Sequence, residues 1–165
     1  MTEKLRIAVA ADNAGVALKD ALAAMLREDH RVTEVTDFGV PDATDDRAYP
    51  LLGLAAARAV ADGEADRAVL VCGTGIGMQI SANKVEGIRA TVAHDSYSAE
   101  RSIKSNDCQV LCLGGRVIGP ELAKKIVAEW LGYEFDPDSA SATKLGHITA
   151  FEHDHQLPTT ADAAC

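Results

Sequence analysis

The stretch that decides the fold is Val69-Leu70-Val71-Cys72-Gly73-Thr74-Gly75-Ile76-Gly77-Met78. An apolar run of β type delivers one cysteine to a loop where glycine alternates with other residues, and Met78 to Lys84 then reads as a helix. Glycines at 73, 75 and 77 permit a tight turn and let backbone N–H groups approach a ligand closely. The positive end of the following helix points at the same place, so the loop suits a phosphate or a developing oxyanion. Cys72 stands at the lip of that loop, where a thiolate would serve as a base or a nucleophile. The pattern alone leaves chemistry and plain packing both open, because glycine turns after strands are common.

Working outward, Leu5 to Ala10 is a short apolar run ending in the polar turn Asp12-Asn13-Ala14-Gly15. Val16 to Arg27 carries Leu18, Leu22, Met25 and Leu26 at helical spacing. Arg31 to Asp37 reads as a strand, and Tyr49-Pro50 opens an alanine-rich helix that runs to about Asp62. Ala68 to Cys72, Ile88 to Ala93 and Gln109 to Leu113 read as strands, separated by helices at Met78–Lys84 and Ser96–Ser105. Pro120 to Leu131 is an amphipathic helix opened by Gly119-Pro120. Asp136 to Ala142 reads as a polar link, and Thr143 to His153 as a short helix. Strands that alternate with long helices imply βαβ units and a mostly parallel sheet covered on both faces. Ligands in such folds gather at the carboxyl ends of the strands. Asp12, Cys72, His94 and Gly114-Gly115-Arg116 all follow strand ends, so one cleft could collect them.

The totals narrow the class. A chain of 165 residues, 47% apolar and 25% charged, suits one domain with a full core. Residues 1–155 are read as that domain and 156–165 as a disordered tail. The net charge of −9 argues against nucleic acid or an anionic membrane as a partner. The N-terminus has no signal-peptide pattern, and no apolar run is long enough to cross a membrane. Cysteines at 72, 108, 112 and 165 lack the spacing of a zinc site, so reduced thiols in a cytoplasmic protein are expected.

Longer motifs carry a resemblance. Cys72-Gly73-Thr74-Gly75-Ile76-Gly77, continuing into Ile80-Ser81-Ala82-Asn83-Lys84-Val85 and Gly87-Ile88-Arg89-Ala90, resembles the ribose-5-phosphate isomerase B and galactose-6-phosphate isomerase family. Ala11-Asp12, Tyr49-Pro50, Tyr97-Ser98, Ser105-Asn106-Asp107 and Gly115-Arg116-Val117-Ile118-Gly119 support it. The resemblance implies a three-layer α/β/α sandwich with a five-stranded parallel sheet. It also implies a homodimer or tetramer whose active sites are each built from two subunits, with no metal and no organic cofactor. The implied chemistry interconverts an aldose phosphate and a ketose phosphate through a cis-enediolate. Cys72 matches the base of one branch, whereas another branch has a glutamate where Met78 stands. Gly73, Gly75, Ile76 and Gly77 match the backbone anion hole, helped by Asn106. Thr74 and Asp12 match positions on sugar hydroxyls, Tyr49 lies in a matching motif, and Arg116 matches a phosphate arginine offered to the neighbouring subunit.

Three departures bear on the substrate. Asn13 stands where ribose isomerases commonly have histidine, and Ser105 where they have the histidine credited with opening the sugar ring. Of two phosphate-binding arginines near the C-terminus, the first place holds Ala140 and the second Lys144. Erythrose 4-phosphate cannot close a five-membered hemiacetal, because its terminal oxygen is esterified, so it needs no ring opener. The stretch Ala93 to Arg101 followed by Ser105-Asn106 resembles a subgroup acting on D-erythrulose 4-phosphate. That tetrose phosphate is the expected substrate, with ribose 5-phosphate as the alternative. His94 is read either as a replacement ring opener or as an imidazole bonded to a neighbour.

The same residues bear on other functions. A cysteine hydrolase would need a histidine oriented by a carboxylate, and His94-Asp95 is a poor dyad because sequence neighbours point apart. A non-catalytic sugar-phosphate sensor is a further alternative. Cys108 and Cys112 are expected to share the buried face of a strand. His153-Asp154-His155 reads as solvated rather than metal-binding, and Lys84 and Arg89 as either ion pairs or a source of positive potential near the loop.

Overall fold

The computed structural model describes residues 4–156. Five strands form one parallel sheet: β1 (Leu5–Ala11), β2 (Val32–Asp37), β3 (Arg67–Cys72), β4 (Ala90–Val92) and β5 (Val110–Gly114). Their order is β2-β1-β3-β5-β4. Six helices accompany them: α1 (Val16–Glu28), α2 (Tyr49–Ala61), α3 (Ile76–Ala82), α4 (Ser96–Lys104), α5 (Pro120–Trp130) and α6 (Ala140–Asp154).

The central strands are buried on both faces, which is why they read as unbroken apolar runs rather than as alternating ones. Ile7, Val9, Val69, Val71, Leu111 and Leu113 point to one side. There they meet Leu22 and Leu26 of α1, Ala99 and Ile103 of α4, and Ile126, Val127 and Trp130 of α5. The intervening residues Ala8, Ala10, Leu70, Cys72 and Cys112 point to the other, against Leu52, Ala56 and Ala57 of α2 and Met78 of α3. Each fully buried leucine or isoleucine in these layers contributes roughly 1.5–3 kcal/mol. The expected three-layer α/β/α sandwich with a five-stranded parallel sheet is the observed fold.

Three boundaries differ from the sequence expectation. Helix α3 begins at Ile76, two residues before Met78, because Gly75 takes φ +83° and turns the chain straight into the helix. Strand β4 is only Ala90–Val92. Ile88 is held in a turn by its N–H on the Val85 carbonyl, and the N–H of Arg89 goes to the Gln109 side chain. Helix α6 starts inside the expected polar link, since Ser139 donates both its N–H and its hydroxyl to the Asp136 carbonyl and so closes a turn. Cys108 precedes β5 instead of sharing a strand face with Cys112, although both are buried. Residues 157–165, which include Cys165 and all of the expected tail but Gln156, lie outside the described residues. No helix of the described residues is long and apolar enough to cross a membrane.

Candidate active site

From β1 the chain runs outward to β2, then returns to place β3 on the other flank of β1. Loops that leave β1 and β3 therefore diverge, and the crevice between their carboxyl ends is where such sheets bind ligands. Asp12 follows β1 and Cys72 ends β3, so both stand at this crevice. The loop after β5 closes its side. Gly115 donates to the Cys72 carbonyl at 2.8 Å, and Arg116 N–H to the Gly73 carbonyl at 3.1 Å. A Cβ on Gly114 would lie 2.8 Å from the Thr74 backbone, and one on Gly115 would lie 2.9 Å from the Ala14 carbonyl oxygen. The three loops therefore interlock at a spacing that only glycine allows.

Within this frame Cys72 is 5% exposed, and the Gly75 N–H donates to its Sγ at 3.1 Å. The sulfur is thus fixed beneath the glycine loop. The N–H of Ile76 leans on Thr74 Oγ1 at 3.4 Å, a long contact. The Arg116 side chain lies over Gly73, with Nη1 3.5 Å from where a Cβ would be, so its guanidinium stands beside its own chain's loop. Asp12 Oδ1 accepts the N–H groups of Ala14 and Gly15 at 3.0 and 3.1 Å, which shapes the β1 loop. Asn13 is exposed beside it, and the Tyr49 ring packs against Gly77.

His94 follows β4 and its Nε2 accepts the Gly114 N–H at 2.8 Å. That nitrogen carries no proton, so the proton of the neutral ring is on Nδ1. Burial pushes the His94 pKa below its ordinary value, with Asp95 opposing. Asp95 caps α4 by accepting the Ser98 N–H at 2.7 Å. Its carboxylate is thereby committed away from the imidazole, and the hydrolase dyad has no geometry to support it.

Two expected residues are not at this crevice in the same chain. Ser105 and Asn106 follow α4 and precede β5, at the amino edge of the sheet. Val110 pairs with Ala68 and Gly114 with Cys72, so the length of β5 alone separates them from the thiol by about 13 Å. Lys144 lies on α6, none of whose residues is buried. Arg89 is engaged at the amino edge as well, with Nη2 on Asp107 at 2.7 Å and Nε on the carbonyls of Asn106 and Asp107. The ion-pair reading is the one the structure gives. His153 faces Glu86, with Nδ1 3.8 Å from the carboxylate. Arg101 carries no role of its own in the sequence motifs, yet its Nε and Nη2 both donate to Ser105 Oγ at 2.9 and 2.5 Å. Its only signal was a spacing of four residues on a helix.

Residues 7–148 match the ribose/galactose isomerase family. The chain is 56% identical over 148 residues to D-erythrulose-4-phosphate isomerase 2 of Mycolicibacterium smegmatis, an alignment covering 90% of this chain and 97% of that one. It is 46% identical to D-erythrulose-4-phosphate isomerase of Pectobacterium atrosepticum, covering 90% and 96%. The structure of Clostridium thermocellum ribose-5-phosphate isomerase B superposes with a TM-score of 0.85 at 42% identity, covering 92% of this chain and 99% of that one.

Proposed function

The chain belongs to the ribose/galactose isomerase family and is a sugar-phosphate isomerase, and from that premise we propose that it interconverts D-erythrulose 4-phosphate and D-erythrose 4-phosphate with Cys72 as the base. Cys72 Sγ takes a proton from carbon 1 of the ketose, and the carbonyl electrons move onto the oxygen of carbon 2. N–H groups of the glycine loop hold the resulting enediolate oxygen, a task for preorganised donors in a site closed to water. Because the Gly75 N–H is spent on the sulfur, the N–H groups of Gly73, Thr74 and Gly77 are assigned this role. Cys72 then returns the proton to carbon 2, while the hydroxyl proton of carbon 1 passes to the neighbouring oxygen and leaves the aldehyde. Thr74 and Asp12 hold sugar hydroxyls, and Arg116 and Lys144 hold the phosphate.

One observation carries the catalytic part: a strand-ending thiol is pinned by an N–H of the glycine loop at the switch point of the sheet, and the neighbouring loop after β5 lays Arg116 beside it. The tetrose preference is supported by the two erythrulose-phosphate relatives and by Ser105, which has no basic nitrogen with which to open a sugar ring. Ribose 5-phosphate remains the second substrate reading, favoured by the likeness to the clostridial enzyme. A coupled assay across tetrose, pentose and hexose phosphates decides between them. The tetrulose phosphate should give the highest kcat/KM, and faster turnover of ribose 5-phosphate would reverse the assignment.

The site is further proposed to be completed by a second copy of the chain in a homodimer or tetramer working in the cytoplasm. Ser105 and Asn106 are a strand's length from their own Cys72 and can act only on a partner's. Next to the glycine loop, α2 and α3 expose Leu51, Leu54, Ile76 and Ile80, an apolar face suited to burial against another subunit.

A further inference from the structure

We propose that Arg101 and Ser105 of one subunit, together with Arg116 and Lys144, hold the substrate phosphate in the active site of the second copy. This rests on the shared-site reading above and adds to it a residue and a ligand group. Arg101 lies one helical turn before Ser105, and two of its N–H groups converge on the serine Oγ. A hydroxyl oxygen has two lone pairs, so both are occupied and the Ser105 O–H can only donate outward. The guanidinium keeps most of its charge available. Glu100 comes no closer than 3.9 Å to it, and the same carboxylate oxygen takes Lys104 Nζ at 3.0 Å. The Arg101 side chain is 40% exposed, and Asn106 adjoins the pair in sequence.

A guanidinium and an outward-donating hydroxyl together favour an anion over a neutral hydroxyl, and the planar arginine fits phosphate oxygens. Substrate chemistry says which anion. The oxygen on carbon 4 is the ring oxygen in the furanose form of ribose 5-phosphate, but it is the phosphoester oxygen in a tetrose 4-phosphate. A residue aimed at that atom must exchange protons in the first case and hold charge in the second. The Arg101–Ser105 pair can do only the second. It therefore works as a specificity device: the phosphate of a tetrose sits one carbon closer to the reacting carbons than that of a pentose, and this chain carries Ala140 and Lys144 at the outer positions.

The test is steady-state kinetics on D-erythrulose 4-phosphate. Arg101→Gln should raise KM by about tenfold or more and leave kcat within about threefold, because a ground-state phosphate contact is lost. The inhibition constant of inorganic phosphate should rise in parallel. Arg101→Lys should recover only part of the loss, since it lacks the planar guanidinium. Ser105→Ala, which unpins the guanidinium, should shift KM in the same direction. An unchanged KM and phosphate inhibition in Arg101→Gln would overturn the proposal. Mixed dimers then separate it from the shared-site reading. A Cys72→Ala chain paired with an Arg101→Gln chain should regain one wild-type site, assayed at low substrate, as should Cys72→Ala paired with Asn106→Ala. Recovery only in the second pairing refutes the role of Arg101 and leaves the shared site standing. Recovery in neither refutes the shared site and the proposal together.

Discussion

His94 Nε2 accepts the backbone N–H of Gly114 at 2.8 Å, and this bond ties the end of β4 to the loop that carries Arg116. Strand β4 stops at Val92, so the imidazole serves the last N–H of β5 where the ladder has run out. Replacing His94 with alanine strands that N–H, at a cost of about 1–3 kcal/mol. Glutamine supplies an oxygen acceptor at a similar reach and should restore at least half. Urea unfolding followed by the fluorescence of Trp130, the chain's single tryptophan, measures both.

The same bond has a pH dependence. Only the unprotonated nitrogen accepts, and burial holds the His94 pKa below its ordinary value. The unfolded chain therefore takes up the proton first as pH falls. Stability from this group is complete above the unfolded value near 6.5 and declines as pH drops from there toward the lower folded value. Wild type should lose stability across that window, and His94→Gln should lose less. Equal losses would show that the imidazole is not the group responsible.

Asp29 gives a second, more acidic window. The Arg31 guanidinium, bonded to it at 2.6 and 2.9 Å, holds its pKa down at about 2. The contribution is present above the unfolded value near 4 and is lost as pH falls toward 2. Arg31 is a third exposed, so solvent screening trims the worth of the pair to about 1–2 kcal/mol. Asp29→Asn should lower stability by that amount at neutral pH and by much less at pH 2 in the same unfolding assay.

Lys19 is 2% exposed and yet charged. Burial pushes its pKa down, but Asp37 at 2.6 Å and Asp20 at 3.0 Å outweigh this, and the net shift is upward. Its ammonium also donates to the Val40 carbonyl, joining α1 to the loop after β2. Lys19→Met keeps the packing but leaves Asp37 and that carbonyl without the cation. The expected loss is about 2–3 kcal/mol, below the usual cost of breaking a fully buried pair because Asp37 reaches solvent. A double change with Asp37→Asn should recover part of it.

Two loop glycines should fail differently. A Cβ on Gly75 would combine a φ of +83° with the Leu113 backbone at 3.0–3.2 Å, so Gly75→Ala should cost about 1–2 kcal/mol of stability. A Cβ on Gly77 would meet the Tyr49 ring at 2.5 Å, and that ring is 40% exposed and free to swing out. Gly77→Ala should leave stability nearly intact while raising KM about three- to tenfold, through the displaced Tyr49. Thermal unfolding and substrate titration of both variants check the contrast.

The sheet was legible because a strand buried on both faces writes an unbroken apolar run, as Val69–Cys72 and Val110–Leu113 do. The turn after Cys72 was legible because Gly73, Gly75 and Gly77 follow an apolar run directly, whereas a chemical use for it needed the longer motifs and not the glycines alone. Helix α6 was only partly so, since a helix with no buried residue leaves no periodic stripe to read. Strand β4 was overestimated because Ile88 is apolar for a turn that packs inward, not for a ladder. The separation of Asn106 from Cys72 needed the topology: sequence order does not say which edge of a sheet a loop occupies.

The most direct measurement is solvent deuterium exchange into D-erythrulose 4-phosphate, followed by proton NMR, for wild type and Cys72→Ser. Proton transfer through the Cys72 thiol predicts deuterium at carbon 1 with wild type, and a rate lower by on the order of a thousandfold in the serine variant. Exchange at the wild-type rate in Cys72→Ser, with the fold intact, would contradict it.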